Sequence, residues 1–343
     1  MDIKNNYSLK SLNTFGVDVI ATDYIEIKTI NDLVKSIDNN EFSDHKIFIL
    51  GGGSNTLFVD NFTGLVIHNS ITGITIEEED SETVLLKAGA GESWNDVVKF
   101  CVRKNLGGIE NLTLIPGSTG AAPIQNIGAY GQELKDTFHS LEAFEISSRK
   151  TRSFTKNECS FGYRNSVFKN ELKDKFIITS INLKLNKRPD LNIEYKGLKE
   201  ELARLGIKHP GIKEVSTAIG NIRLRKLPSP DKLGNAGSFF KNPFVDELKF
   251  ELLKRKFSDV NGNPTNNGII KISAGWLIEK CGWKGKREGN VGVYPEHALI
   301  IVNYGNATGK EIFDFAVGIK KSVENEFGIS LEFEVNCIRN GSN

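Results

Sequence analysis

The chain has 343 residues, a length that predicts two or three domains and a sizeable buried core. Its 44 Lys and Arg oppose 43 Asp and Glu, which leaves no bulk positive field to gather nucleic acid, and no run reaches the ~18 apolar residues of a membrane span. Four dispersed cysteines, with no C-x-x-C pair and no zinc-type His spacing, point to a reducing compartment and a metal-free protein, while 33 glycines against 9 prolines call for many tight turns or close backbone approaches.

Residues 1–10 hold charges and Asn without an apolar run, so a cytoplasmic protein is expected. Residues 24–27 alternate as a strand, Asn31 is placed to cap a helix running through Ile37, and 46–50 is a short apolar strand, a βαβ unit ending at Gly51. Strands follow at 64–68 and 83–88. A helix then opens at Ser93 with Asp96 three residues on, an Asp variant of the capping box, and its apolar face is Val97, Val98, Cys101 and Val102. From 141 to 185 the apolar pattern turns period-two, as in Ile177, Thr179, Ile181, Leu183 and Leu185, which predicts antiparallel sheet. Pro189, Pro210, Pro228 and Pro230 interrupt regular structure between 187 and 230, and a boundary is expected near 226. Beyond it, 269–279 predicts a short strand or turn into a helix, and 298–302 a strand. Thr308 and Glu311 cap a helix whose apolar face is Ile312, Phe315, Ile319 and Val323, and 331–335 closes the chain as a strand.

The glycines gather where chemistry is expected. Gly51-Gly52-Gly53-Ser54-Asn55 follows directly on an apolar strand, where backbone N–H groups could close on an anion, yet Thr56 stands at the third glycine position of G-x-G-x-x-G and no Walker-type G-x-x-x-x-G-K-[ST] occurs. A plain glycine turn is the alternative. From Pro116 to Gly131 the chain carries small residues and amides but no charge, a composition suited to wrapping a diphosphate or a flat ring rather than to a flexible linker.

Two further segments carry reactive groups. Phe161-Gly162-Tyr163-Arg164-Asn165-Ser166 sets a guanidinium between an aromatic and an amide, suited to holding a carboxylate, although such an arginine is also an ordinary ion-pair partner. Gly234-Asn235-Ala236-Gly237-Ser238-Phe239-Phe240-Lys241-Asn242-Pro243 sets one hydroxyl between small residues and two rings, without the G-x-S-x-G of an α/β-hydrolase.

These segments together closely resemble the UDP-N-acetylenolpyruvoylglucosamine reductases, flavoenzymes of peptidoglycan precursor synthesis, in their longer form. The resemblance rests on Asn13-Thr14-Phe15-Gly16, the Gly51 to Asn55 run, Ile109-Glu110-Asn111-Leu112 leading into Ile115-Pro116-Gly117, the Pro123 to Gly131 run, Phe161 to Arg164, Gly234 to Pro243, and Leu331-Glu332-Phe333-Glu334-Val335, in the family's order along nearly the whole chain.

The resemblance implies an α+β fold: a two-subdomain FAD-binding fold of the PCMH/vanillyl-alcohol-oxidase type (1–72 and 73–225, with a tyrosine loop near 190–212), then an α+β substrate domain (226–343) whose last strand, 331–336, reaches the active site. It implies an NADP-dependent reductase with non-covalent FAD, in which NADPH is co-substrate. The enolpyruvyl group of UDP-N-acetylglucosamine enolpyruvate becomes the lactyl ether of UDP-N-acetylmuramate. Arg164 matches the family's carboxylate-binding arginine, Glu334 the acidic residue opposite it, and Ser238 the serine that delivers the proton. Tyr130, Tyr195, Lys226 and Asn242 match positions that contact the UDP-sugar. FAD is expected at Gly51, Gly52, Gly53, Ser54 and Asn55, and along the second run at Pro116, Gly117, Ser118, Thr119, Gly120, Ala122, Gln125, Ile127 and Gly128. The expected partners are small molecules only, without nucleic acid, membrane or metal, bound by a cytoplasmic monomer.

Two positions depart from the family pattern: Phe333 stands where a proline is common, and Asn336 where an arginine is common. Two other readings compete with the reductase, a FAD oxidase of small alcohols on the same scaffold and a non-catalytic UDP-sugar sensor.

Overall fold

The computed structural model describes residues 3–38, 46–265 and 268–340, so residues 1–2 of the N-terminal stretch and 39–45, 266–267 and 341–343 of the expected domains lie outside the described residues. In chain order the first elements are β1 (Lys4–Ser8), β2 (Ile20–Ile27), α1 (Ile30–Asp38), β3 (Ile47–Leu50), β4 (Thr56–Phe58), β5 (Phe62–Asn69), β6 (Ile74–Glu79), β7 (Thr83–Gly89) and α2 (Trp94–Arg103). There follow β8 (Gly128–Ala129), β9 (Gln132–Glu133), β10 (Phe138–Glu145), β11 (Lys150–Thr155), β12 (Phe176–Asn186), α3 (Lys196–Arg204) and α4 (Ile212–Lys226). The remainder comprises β13 (Gly234–Ser238), β14 (Phe244–Asp246), α5 (Glu247–Lys256), β15 (Gly262–Pro264), β16 (Ile269–Ile272), α6 (Ala274–Lys280), β17 (Arg287–Glu288), β18 (Val291–Val293), β19 (Ile300–Asn303), α7 (Gly309–Phe327) and β20 (Asn336–Ile338).

The chain divides into two compact units, one made of Met1–Tyr7, Ala21–Gly52 and Thr63–Arg225, the other of Ser8–Ile20, Gly53–Phe62 and Lys226–Asn343. In the first unit a sheet of order β1-β2-β5-β3, with β3 and β5 parallel, accompanies an antiparallel sheet of order β11-β10-β12-β7-β6. The first half of β12 is buried on both sides, because alternate residues serve different cores. Ile177 joins Phe144, Ile25, Leu65 and Leu33 in one cluster, whereas Ile178 joins Trp94, Val97 and Leu112 in another. A third, smaller cluster packs Leu198 and Leu202 of α3 against Val215, Ala218 and Ile219 of α4.

The second unit closes on parallel pairing of β4 with β20, and its other sheets run β13-β19-β18-β17 and β14-β16-β15. Its N-terminal segment is stitched in by close backbone contact. Asn235 N donates to Thr14 O at 3.0 Å, Asn303 Nδ2 donates to Phe15 O at 2.9 Å, and a Cβ at Gly234 would strike that same Phe15 carbonyl. Among the described residues no helix is long and apolar enough to cross a membrane.

Several local expectations are corrected. Helix α1 begins at Ile30, so Asn31 lies inside its first turn. Thr29 is the cap instead: its Oγ1 accepts from Asp32 N at 3.1 Å, while Asp32 Oδ2 accepts from Thr29 N at 2.8 Å. Ser93 does precede α2 but makes no side-chain cap. The Asp96 N–H is taken by the Ser93 carbonyl, the Asp96 carboxylate pairs with Lys99, and the buried face gains Trp94 in place of half-buried Val102. The prolines between 187 and 230 punctuate regular structure without excluding it, since α3 and α4 lie between them and α3 occupies part of the 190–212 loop. Residues 331–335 form only one isolated bridge, and the closing strand is β20 at 336–338; likewise β19 starts at Ile300.

Candidate active site

In the first unit, β3 delivers the chain into Gly51 and Gly52 at the carboxyl end of a parallel strand pair, where loops of open α/β sheets meet ligands. A Cβ on Gly51 would strike Ser118 Oγ, and one on Gly52 would stand 3.0 Å from Gly117 Cα and 3.2 Å from Ser118 N. Glycine is required here because two backbones pass within contact distance. The second ribbon is fixed by main-chain bonds: Trp94 N donates to Gly117 O at 3.0 Å, Thr119 N to Glu92 O at 2.8 Å, and Gly120 N to Ala90 O at 2.8 Å. Ser118 bridges Ser93 and Thr119 is fully buried, while Ala122 and Ile127 belong to the core cluster. Gln125 and Gly128 are half-buried along the same ribbon, and Pro116 is exposed. A charge-free cradle that a single Cβ would fill fits a dinucleotide approached by backbone.

Asn126 holds the far end of this ribbon. Fully buried at φ 43°, its Nδ2 donates to Glu133 Oε2 at 3.0 Å and Gly162 O at 3.1 Å, and its Oδ1 accepts from Lys135 N at 3.0 Å. The β8–β9 hairpin turns on Tyr130 (φ 49°) and Gly131 (φ 83°), both in the left-handed region a type I′ turn requires. Arg164 is also left-handed, at φ 51°, in a turn closed by reciprocal bonds between Gly162 and Asn165. That conformation costs an arginine about 1–2 kcal/mol. The turn brings Nη2 within 2.7 Å of Gly128 O and leaves the guanidinium 5.4 Å from the Tyr163 ring centre.

Tyr130 and Tyr195 meet edge to face at 5.2 Å, with Tyr195 49% exposed at the start of α3. Burial raises the Tyr130 phenol above its ordinary pKa, partly opposed by Arg223. Arg223 donates from Nε to Leu114 O at 3.2 Å and interacts with the Tyr130 hydroxyl, and burial lowers its pKa. Asn111 Nδ2 donates to Tyr130 O at 2.9 Å and Asn192 O at 2.8 Å, while its buried Oδ1 has no partner among the described residues. Sequence reasoning named neither residue as part of the site. Arg223 could have been found from its place four residues after Ile219, on the stripe that carries Val215 and Ile219.

The second unit holds Ser238, Asn242, Glu334, Gly53, Ser54 and Asn55, and its last stretch begins at exposed Lys226. Asn235 Oδ1 accepts from Gly237 N at 3.0 Å, and its Nδ2 donates to Leu233 O at 2.8 Å and Pro228 O at 3.2 Å. With Gly237 at φ 69°, this clamp produces the register shift in β13 that presents half-buried Ser238 opposite Ile300. Glu334 N donates to Phe239 O at 2.8 Å, which sets Glu334 one residue away from Ser238 across the pairing. Asn55 grips the same segment, donating from Nδ2 to Glu334 O at 3.1 Å and accepting Asn336 N at 3.0 Å. Asn242 Oδ1 accepts from Ala274 N at 2.9 Å at the start of α6, and Gly53 turns at φ 60° against the Leu12 carbonyl.

Comparison with known proteins agrees with both halves of this arrangement. A family model described as the UDP-N-acetylenolpyruvoylglucosamine reductase C-terminal domain matches residues 229–338, and an FAD binding domain model matches residues 22–148. The UDP-N-acetylenolpyruvoylglucosamine reductase of Flavobacterium johnsoniae is 47% identical over 339 residues, covering 98% of this chain and 100% of that one. That of Pseudomonas aeruginosa is 42% identical over 336 residues, covering 98% and 99%. The crystal structure of the reductase from Thermus caldophilus superposes with a TM-score of 0.65 at 25% identity, covering 98% of each chain. With relatives this similar matched from end to end, the chain belongs to the UDP-N-acetylenolpyruvoylglucosamine reductase family.

Proposed function

We propose that the chain is an NADPH-dependent UDP-N-acetylmuramate dehydrogenase, reducing the enolpyruvyl ether of UDP-N-acetylglucosamine to the lactyl ether with a proton from Ser238. Reduction of UDP-N-acetylenolpyruvoylglucosamine with FAD follows from family membership over the full length, and that match is the observation that carries the reading. FAD, when bound, supplies a two-electron carrier between the nicotinamide and the enolpyruvyl double bond. The cradle of Gly51, Gly52, Gly117 and Gly120 holds its dinucleotide by backbone approach, in a domain built from residues 1–72 and 73–225, while 226–343 binds the sugar nucleotide.

As hydride reaches the terminal carbon of the substrate, negative charge spreads from the neighbouring carbon into the carboxylate. Arg164 holds that carboxylate, and a guanidinium stabilises it more as charge develops than before. Ser238 gives its hydroxyl proton to the carbon beside the carboxylate. A serine is a weak acid, so proximity to a strongly basic enolate does what its pKa cannot. Glu334 stands by the same carbon, Lys226 neutralises a phosphate oxygen, and Tyr130, Tyr195 and Asn242 position the UDP-sugar. The enzyme works as a cytoplasmic monomer on small molecules alone.

The test is the absorbance spectrum of purified protein together with NADPH oxidation. Oxidised-flavin bands and turnover that needs the enolpyruvyl sugar nucleotide are expected. Colourless protein, or oxidation indifferent to the sugar nucleotide, would sink the reading.

A further inference from the structure

We propose that Phe333 is a positioning residue for this reaction, setting the register in which the segment carrying Glu334 lies along the segment that follows Ser238; the inference rests on the roles proposed above for those two residues. The pairing there is a single antiparallel bridge, Phe240 opposite Phe333. The bonds that flank it run from Glu334 N to Phe239 O at 2.8 Å and from Lys241 N to Glu332 O at 2.9 Å. Phe240 and Phe333 are therefore a non-hydrogen-bonded pair, the kind whose side chains approach most closely.

The two hydrogen bonds of the bridge specify a register weakly, because a slip exchanges them for equivalent ones, and Asn55 adds a hold on the Glu334 carbonyl and the Asn336 N–H. Side-chain packing decides between the alternatives. The Phe333 ring lies 5.4 Å from Phe239, 5.5 Å from Phe240 and 5.7 Å from Phe313 on α7, and Phe239 and Phe240 are fully buried. A one-residue slip would turn Phe333 to the opposite face, empty that ring cluster, and carry Glu334 away from its place one residue from Ser238. Neither flanking bond uses the Phe333 N–H. A proline at this position would thus fit the same bridge, restraining the segment through its fixed φ where this chain restrains it through a ring.

Stopped-flow measurement on the FAD holoenzyme separates the two half-reactions. Phe333→Ala is expected to slow flavin reoxidation by the enolpyruvyl sugar nucleotide at least tenfold. Flavin reduction by NADPH and the dissociation constant of the sugar nucleotide should stay within twofold. Phe333→Pro is expected to recover the reoxidation rate to within about threefold of the parent, a rescue that a merely space-filling role would not give. If Phe333→Ala does not accumulate as holoenzyme, Phe333→Leu and Phe333→Pro carry the same comparison. Unchanged reoxidation in the Ala or Leu variant, equal losses in both half-reactions, or a Pro variant no faster than these would overturn the proposal. Glu334→Gln in parallel distinguishes the failures. If it slows reoxidation while Phe333→Ala does not, the site reading stands and the positioning role falls; if Glu334→Gln has no effect, both fall.

Discussion

Nη2 of Arg164 donates a 2.7 Å hydrogen bond to the carbonyl oxygen of Gly128, so the guanidinium is held by the ribbon of small residues that includes the expected flavin-binding glycines. One edge of the fork is occupied by protein, and the plane of the group is set before substrate arrives. Arg164→Lys keeps a charge but loses the fixed plane and the second donor direction. kcat/KM for the enolpyruvyl sugar nucleotide should fall about 100-fold or more, the range for removing one preorganised donor from a developing oxyanion. Steady-state kinetics at saturating NADPH reads this, and an unchanged value would remove Arg164 from the carboxylate.

Ser238 is expected to matter in only one of the two half-reactions. In the proposed mechanism its proton is needed when the substrate carbon becomes basic, and nothing in flavin reduction by NADPH consumes it. Ser238→Ala should therefore slow flavin reoxidation by substrate by about 100-fold or more, on the scale of general acid catalysis, while reduction proceeds at close to the parent rate. Equal losses in the two phases would make the serine positional, held by the Asn235 clamp for shape alone.

What was legible in the sequence is what one turn or one strand decides locally. Thr308 and Glu311 lie within a single turn, and α7 opens on their reciprocal hydrogen bonds as the spacing predicts. The same logic failed at Ser93, where the backbone carbonyl satisfied the N–H that the side chain was expected to take. Residues 331–335 alternate like a strand, yet strand character depends on partners near Phe240 and Asn55, which no local window contains. The second unit is assembled from three separated stretches, a property of contact rather than composition. The site behaved likewise. Strings such as Gly234 to Pro243 announced Ser238, whereas Asn111 acquires its place through a carbonyl 81 residues away, and Arg223 through one 109 residues away.

Gly52→Ala tests the cradle without touching a reacting group. The added Cβ would sit 3.0 Å from Gly117 Cα and 3.2 Å from Ser118 N, contacts that only movement of the backbone can relieve. Displacing that ribbon should weaken FAD retention. Flavin content after gel filtration is expected to fall below half of the parent value, with added FAD restoring part of the loss. Gly16→Ala, a position with open space around it at φ 66°, provides the contrast: backbone strain alone, about 1 kcal/mol, with flavin content retained. Equal flavin content in the Gly52 variant and the parent would show that the two glycine ribbons do not form the cofactor cradle.

Glu201 of α3 is held by two guanidiniums, Arg204 on its own helix and Arg225 on α4, each with Nη2 at 2.6 Å, and its side chain is 2% exposed. The hydrogen bonds from Arg204 and then Arg225 keep this carboxyl well below the usual carboxylate range. A folded value below the unfolded one means that the stabilisation is complete above the ordinary glutamate pKa of about 4.3 and is lost as pH falls through and below it. Because both arginines are half-exposed, Glu201→Gln should cost only about 1–2 kcal/mol at pH 7. The gap between variant and parent in urea midpoint should narrow between pH 5 and pH 3, because the parent alone loses this contribution as its unfolded chain takes up the proton. Since Tyr195 immediately precedes α3, the variant should also raise KM for the sugar nucleotide more than it lowers kcat. A gap that stays constant with pH would show that the ion triad does not tie α3 to α4 through the charge of Glu201.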